Sequence, residues 1–222
     1  ISDSLTYGIA VAGIAGMGVN YGSTNPTTKA MMMDAYTSLS LMQVMATVAY
    51  NGKNYGVGIS PVAQWGSLAI GYTGNNGNHN SDQYTGYGAN LGAYYDVTSD
   101  MTVAAAYMSE IEMKYGNQLS NAAAGFGLMT GSPMGAGFSD TLTQPSQMKA
   151  GVSYNVSSSI AVTADYKLIN WSGAAGYKDF NWKDQNVVAV GVKYSGTGFW
   201  LGLGYNSADD PIGNLTATAG TA

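Results

Sequence analysis

One histidine and no cysteine leave this 222-residue chain poorly supplied for nucleophilic catalysis. The histidine, His79, sits in the run GNNGNHNSD, where a lone imidazole among Asn and Gly reads as solvated rather than as a ligand or base. Asp209-Asp210 falls in a loop-like stretch; solvation is the default there, with a Ca²⁺ ion the alternative. No Gly-rich phosphate loop of the P-loop type occurs. We therefore expect no enzyme: no catalytic residue, no metal and no cofactor. The side chains left with chemistry to do are lysines and methionines. Lys149, Asp165, Lys167 and Lys193 alternate onto the polar faces of three strands. They suit either of two roles: Asp165 paired with Lys149 or Lys193 in a network that stabilises a wall, or an ammonium that meets a substrate carboxylate inside an apolar cavity. Met31, Met32 and Met33 lie in a short helix predicted through residues 29–36, with Thr27 or Thr28 as its cap. Three successive methionines cover most of a helical circumference. They suit either an adaptable apolar landing surface or the packing of a loop helix on a rim.

The elements that would position these side chains are strands. In Ile160–Trp171, residues Ile160, Val162, Ala164, Tyr166 and Leu168 point one way, while Thr163, Asp165 and Lys167 point the other. The same reading gives Leu5–Met17, Leu41–Tyr50, Tyr55–Tyr72, Tyr87–Val97, Met101–Tyr115, Gln147–Asn155, Asn186–Tyr194 and Phe199–Tyr205, about nine strands in all. On the fifth, Val103, Ala105, Tyr107, Ile111 and Met113 share the apolar face, and Glu110, Glu112 and Lys114 the other. Pro61 has no ladder donor and is expected to interrupt the third strand with a bulge, an edge or a kink.

Which face is the core decides the fold class. In a soluble sandwich two apolar faces pack together; in an outer-membrane barrel the apolar face meets lipid. Three features favour the barrel. The strands are long. Tyrosines recur beside the short turns, at Tyr50, Tyr55, Tyr95, Tyr154 and Tyr194, where an aromatic girdle would sit. The non-apolar face is rich in Gly, Ala, Ser and Thr, and only 9% of the chain is charged, well below the ~25–35% of a solvated surface. Short connections alternate with long loops at about 19–40, 74–83, 116–140 and 173–184, the pattern of periplasmic turns and external loops. The loop after Tyr115, with AAAGFGLMTGSPMGAGF, is too apolar for a plain linker and is expected to fold over the barrel mouth or into it. The fold class is thus all-β, an antiparallel up-and-down transmembrane β-barrel, with residues 1–222 as a single domain. A net charge of −5 with eight Lys+Arg argues against a nucleic-acid partner.

Several runs also carry a family resemblance. Ala164-Asp165-Tyr166-Lys167-Leu168-Ile169-Asn170-Trp171-Ser172, then Phe180-Asn181-Trp182-Lys183-Asp184-Gln185, then Val190-Gly191-Val192-Lys193-Tyr194 and Gly204-Tyr205, resemble the FadL/TodX family of outer-membrane transporters of hydrophobic compounds. Pro145 ahead of the Gly-Val-Ser-Tyr strand end, and Tyr7-Gly8-Ile9-Ala10-Val11, are similar too. The likeness runs over most of Ser4 to Ile212. It implies uptake of hydrophobic small molecules, such as long-chain fatty acids or hydrocarbons, across the outer membrane of a Gram-negative-type bacterium, with outer-membrane lipid or lipopolysaccharide as surroundings. It also implies a barrel of about 14 strands plugged by an N-terminal hatch with an Asn-Pro-Ala motif. The hatch, one strand before Ser4 and about four after Ile212 are then expected from further segments of the same protein. In the family a local disruption of the wall is the proposed side exit, in the strand before the hairpin at Asn51–Asn54; here that strand holds no Gly or Pro, so no exit position carries over. Two other functions remain in play. A general diffusion porin would show a strongly charged constriction, and a structural or adhesive barrel would have no route for a substrate.

Overall fold

The structure, a computed structural model, describes residues 4–22, 25–72, 80–120, 122–123 and 139–212. His79 and residues 124–138, most of the apolar run after Tyr115, lie outside them. The strands are β1 (Leu5–Asn20), β2 (Tyr36–Asn51), β3 (Tyr55–Gly71), β4 (Asp82–Asp96), β5 (Met101–Met108), β6 (Gln147–Asn155), β7 (Ile160–Ile169), β8 (Gln185–Gly196) and β9 (Phe199–Ala208). They form one nine-stranded sheet in sequence order, every neighbouring pair antiparallel. The sheet curls into part of a barrel wall. Among the described residues there is no second sheet. Val162 and Val190, which a sandwich would bury, are 37% and 50% exposed. Alternating directions leave β1 and β9 running the same way, so these edges cannot join each other in an antiparallel ladder.

Register fixes the faces. Val48, Ile59, Leu91, Tyr107, Met148 and Leu168 lie on the convex side, consistent with contact with lipid. Tyr50, Tyr55, Tyr95, Tyr154 and Tyr194 line the short-turn end and are 41–49% exposed. Neighbouring rings meet there, Tyr50 with Tyr55 at 6.1 Å and Tyr194 with Phe199 at 6.0 Å between centroids. Amphipathic rings favour a membrane–water boundary, which gives the end its girdle.

Several bounds differ from the sequence reading. β2 and β4 begin five residues earlier than Leu41 and Tyr87, because polar Ser38, Ser40, Gln83 and Thr85 still make ladder partners above the apolar band. A bulge between Gly13 and Ala15 turns β1 over. Below it Leu5, Tyr7, Ile9 and Val11 face out; above it Ala15, Met17 and Val19 take the inward side. Pro61 does not end β3. It stays paired with Ala89 on β4, while the β2 ladder skips from Met45–Val62 to Val48–Ile59, where the missing N–H would have pointed. Thr47 and Ser60 hydroxyls bridge that break at 2.7 Å. The largest difference is β5, which leaves the wall after Met108 instead of running to Tyr115.

Helix α1 (Pro26–Met32) occupies the first long connection. Its cap is Asn25, not Thr27 or Thr28: the Asn25 Oδ1 accepts from the N–H groups of Thr27 and Thr28 at 2.9 and 3.2 Å, with Pro26 in the first turn where no donor is needed. Met33 and Asp34 both take left-handed φ of 53° and stop the helix before residues 34–36. Asn25→Ala should loosen α1 by about 1 kcal/mol, read as faster amide exchange at Thr27 and Thr28. Unchanged exchange there would show that tertiary packing alone holds the turn.

Candidate functional site

The concave side has two zones. Toward the short turns it is a shallow trough of small and polar side chains. Thr47, Ser60, Asn90 and Ala106 border a hollow of about 440 Å³, and Thr102, Lys149, Ser153, Thr163 and Asp165 border an adjoining one of about 230 Å³. Toward the long loops the lumen is filled. Leu39, Leu41, Val62 and Leu68 of the wall pack on Ile111, Met113, Tyr115 and Leu119, which come from the β5–β6 connection. This is the main core of the described residues, and it lies inside the curl.

The filling segment is a continuation of the β5–β6 hairpin, bent inward. Ile111 and Gln144 exchange backbone hydrogen bonds at 3.0 and 2.8 Å, Leu142 N–H donates to Met113 O at 2.8 Å, and Tyr115 N–H to Asp140 O at 2.7 Å. Two residues set the bend. Ser109 makes the last ladder-like link to β4: its N–H donates to Ala89 O, and its hydroxyl accepts from Ala89 N–H, each at 2.9 Å. That hydroxyl stands where the ladder would offer a carbonyl. On the other arm, Thr143 N–H donates to Ala175 O of the β7–β8 loop. Pro145, two residues on and facing the same side, has no N–H to continue that pairing. β4 therefore pairs with β3 up to Asp82 but with β5 only from Asn90 down, leaving a notch in the wall.

Glycine makes the seat. Gly86 and Gly88 share the inward face of β4, and Gly66 lies beside them on β3. A β-carbon at Gly88 would stand 2.6 Å from Ile111, and one at Gly86 would stand 2.5 Å from the Glu112 carbonyl oxygen and 2.8 Å from Met113 Sδ. At Gly66 it would fall on the Tyr115 hydroxyl. Only a residue without a side chain lets the hairpin lie this close to the wall. Ile111 and Met113 are thus 2% and 1% exposed, packed in the lumen and not on the lipid face with Val103, Ala105 and Tyr107.

The charged candidates share the concave face, as their alternation requires, but they do not pair as expected. Among the described residues the ion pairs are Lys29–Asp34 at 3.1 Å and Lys114–Glu112 at 2.7 Å. Lys149 stands directly opposite Lys167. Asp165 stands opposite Gly151, with its Oδ1 lying against the space above that glycine, and Lys193 stands opposite Ala161, near the short-turn end. Register therefore sets the two lysines opposite each other and Asp165 one inward position away, opposite a glycine. Met31 is exposed, 72%, while Met32 and Met33 border a pocket of about 290 Å³ with Tyr21, Ile70 and Tyr72 between α1 and the rim. Asp209 accepts from the backbone and side-chain N–H groups of Asn186 at 3.3 and 2.7 Å.

Residues the sequence reading passed over are Gln43, Gln64, Tyr115 and the three seat glycines. Gln43 and Gln64 are partners on β2 and β3, 2% and 0% exposed, and Gln43 Nε2 donates to Gln64 Oε1 at 2.8 Å. Burial pushes the Tyr115 phenol up to about 12, with Tyr177 and the Asp82 carboxylate adding to the shift, so it stays protonated at neutral pH. The signal available in sequence was the Gly-x-Gly spacing of Gly86 and Gly88, two gaps on one face of a strand.

An antiparallel meander with an apolar convex face, an aromatic girdle and an occupied concave side is the wall of a transmembrane β-barrel with a plugged lumen. No protein-family model matches the sequence, and no characterised protein matches it significantly. Solved structures do match. The chain is similar to the Ralstonia pickettii toluene transporter TbuX (TM-score 0.65, 18% identity, 94% of this chain and 67% of that one). It is also similar to a Pseudomonas aeruginosa FadL homologue (TM-score 0.67, 15% identity, 96% and 58%) and to the CymD monoaromatic hydrocarbon channel (TM-score 0.61, 17% identity, 95% and 67%). At these identities the likeness shows a shared fold: this chain has the FadL-type barrel fold and spans 58–67% of the length of those proteins.

Proposed function

We propose that this chain forms the wall and part of the lumen of an outer-membrane channel for hydrophobic small molecules, such as hydrocarbons or long-chain fatty acids, in a Gram-negative-type bacterium. The observation that carries the reading is the composition of the upper lumen. Leu39, Leu41, Val62, Leu68, Ile111 and Met113 make an apolar constriction. A diffusion porin for hydrated solutes needs a charged, wet constriction instead. The reading also draws on the shared fold, since TbuX and TodX are toluene transporters and CymD is a monoaromatic hydrocarbon channel.

The route follows the two zones. A permeant lands in the apolar pocket beside Met32 and Met33, passes the hairpin as it shifts, and reaches the polar trough below; the notch beside β4 offers a way sideways into lipid. Lipid or lipopolysaccharide surrounds the convex face, and other segments of the same protein cover the edges of β1 and β9. Uptake of labelled toluene and oleate by cells carrying the complete protein tests the reading. Uptake well above that of cells lacking it is expected. Rapid passage of sugars or salts without uptake of either compound would contradict it.

Lys149 and Lys167, opposed and without an ion-pair partner among the described residues, are the groups we assign to a permeant carboxylate. An anion leaving water is costly to bury, and a charge-assisted hydrogen bond offsets that cost. Replacing either lysine with Met should slow fatty-acid uptake by about ten- to a hundredfold, on the ~1.5–3 kcal/mol scale of such bonds, and spare a hydrocarbon of similar length. Equal losses for both compounds would mean a damaged wall, and no loss for either would leave the lysines as wall structure.

A further inference from the structure

Among the described residues, two polar atoms in the packed upper lumen have no hydrogen-bond partner: Nε2 of Gln64 and Oη of Tyr115. Both residues are wholly buried, at 0% exposed. They come from one place. Gln64 and Gly66 are successive inward positions on β3, and the Tyr115 hydroxyl rests over Gly66. The atoms nearest that position are hydrocarbon or thioether ends, Leu41 Cδ2 and Met113 Cε, which accept nothing. The Gln64 carbonyl end is already used by Gln43, so what remains is donor capacity: an amide NH₂ and a phenol O–H. Buried donors without acceptors are rare and call for a ligand, a water or a second state. Gln64 belongs to the wall and Tyr115 to the hairpin seated on it, so the two donors face the same seam, and beside them lies Met113, the most deformable of apolar residues.

We propose that Gln64 and Tyr115 form a two-donor recognition site for an oxygen acceptor on a hydrophobic permeant: a hydroxyl, a carbonyl or a carboxyl. The oxygen reaches the donors along the seam between wall and hairpin when Met113 swings aside, with Tyr115 still beside Gln64. With the hairpin seated and the site empty, both donors stay unpaired, which raises that state and keeps it easy to displace. The proposal rests on the channel reading above and narrows its substrate class: permeants bearing an oxygen bind the constriction better than plain hydrocarbons of the same length.

The test is equilibrium binding of n-decane, 1-decanol, 2-decanone and decanoate to the purified complete protein, in wild type, Tyr115→Phe and Gln64→Met. Wild type should prefer all three oxygenated probes over decane. Each variant should lose about three- to tenfold of that preference, the span of one hydrogen bond of ordinary strength. Tyr115→Phe should unfold at or above the wild-type midpoint, because it removes an unpaired buried hydroxyl. A preference unchanged in both variants overturns the site and leaves a structural water as the partner of the two donors. Loss confined to decanoate also overturns it, placing oxygen recognition at the lysines. If the binding preference behaves as expected but cells take up none of the four compounds, the site stands and the transport reading fails.

Discussion

Gly86→Val should unseat the inward hairpin. The new side chain would press on the Glu112 carbonyl and on Ile111 and Met113, and a backbone carbonyl cannot turn away as a side-chain tip can. Overpacking of this kind costs about 1–3 kcal/mol, enough to populate a lifted state when the seated one already holds two unpaired donors. Two readouts should move together. Amide exchange across residues 109–115 should accelerate by one to two orders of magnitude, on about 1.4 kcal/mol per tenfold. Ion conductance through the reconstituted barrel should rise several-fold as the constriction opens. Gly92 is the matched control: it shares the strand and the inward face, yet a β-carbon there meets nothing within 4 Å. Gly92→Val should change neither readout. If both variants behave alike, the glycine seat has no special role.

A second large effect separates the two faces of β7. Val162 lies on the convex side and Thr163 on the concave side, adjacent in sequence. Val162→Arg should cost about 2–4 kcal/mol near the middle of the apolar band, because a guanidinium would be forced into hydrocarbon. Thr163→Arg should cost little, since its side chain enters a trough that already holds Lys149 and Asp165. Folding into lipid vesicles, followed by the urea midpoint, measures both. Similar costs at the two positions would remove the distinction between a lipid side and a lumen side.

Much of this architecture was legible because period-2 alternation is local. β6 could be bounded from sequence alone, and β7 placed to within two residues, since Ile160, Val162, Ala164, Tyr166 and Leu168 announce one face without reference to any other strand. The same locality explains the errors. Ile111 and Met113 keep in step with Val103, Ala105 and Tyr107, so alternation continues smoothly through a point where the chain leaves the wall. What bends the hairpin out of the wall is the pairing of Ser109 with Ala89, 20 residues before it, and a missing donor at Pro145, 36 residues after it. Charge pairing failed for a related reason. Alternation gives the face of Lys149, Lys167 and Asp165 but not their height, and the register that sets two lysines opposite each other depends on the length of the Val156–Ser159 turn. Gln43 and Gln64 were invisible as a pair until β2 and β3 were aligned.

The central claim is that the apolar face of these strands meets lipid and the small, polar face meets a lumen. A nitroxide scan along β7, one site at a time from Ile160 to Ile169 in the complete protein reconstituted in bilayers, tests it most directly. Collision with lipid-soluble oxygen should peak at positions 160, 162, 164, 166 and 168, and collision with a water-soluble nickel chelate at 161, 163, 165 and 167. Oxygen and chelate profiles that rise and fall in phase, or an alternation of opposite sign, would contradict the account.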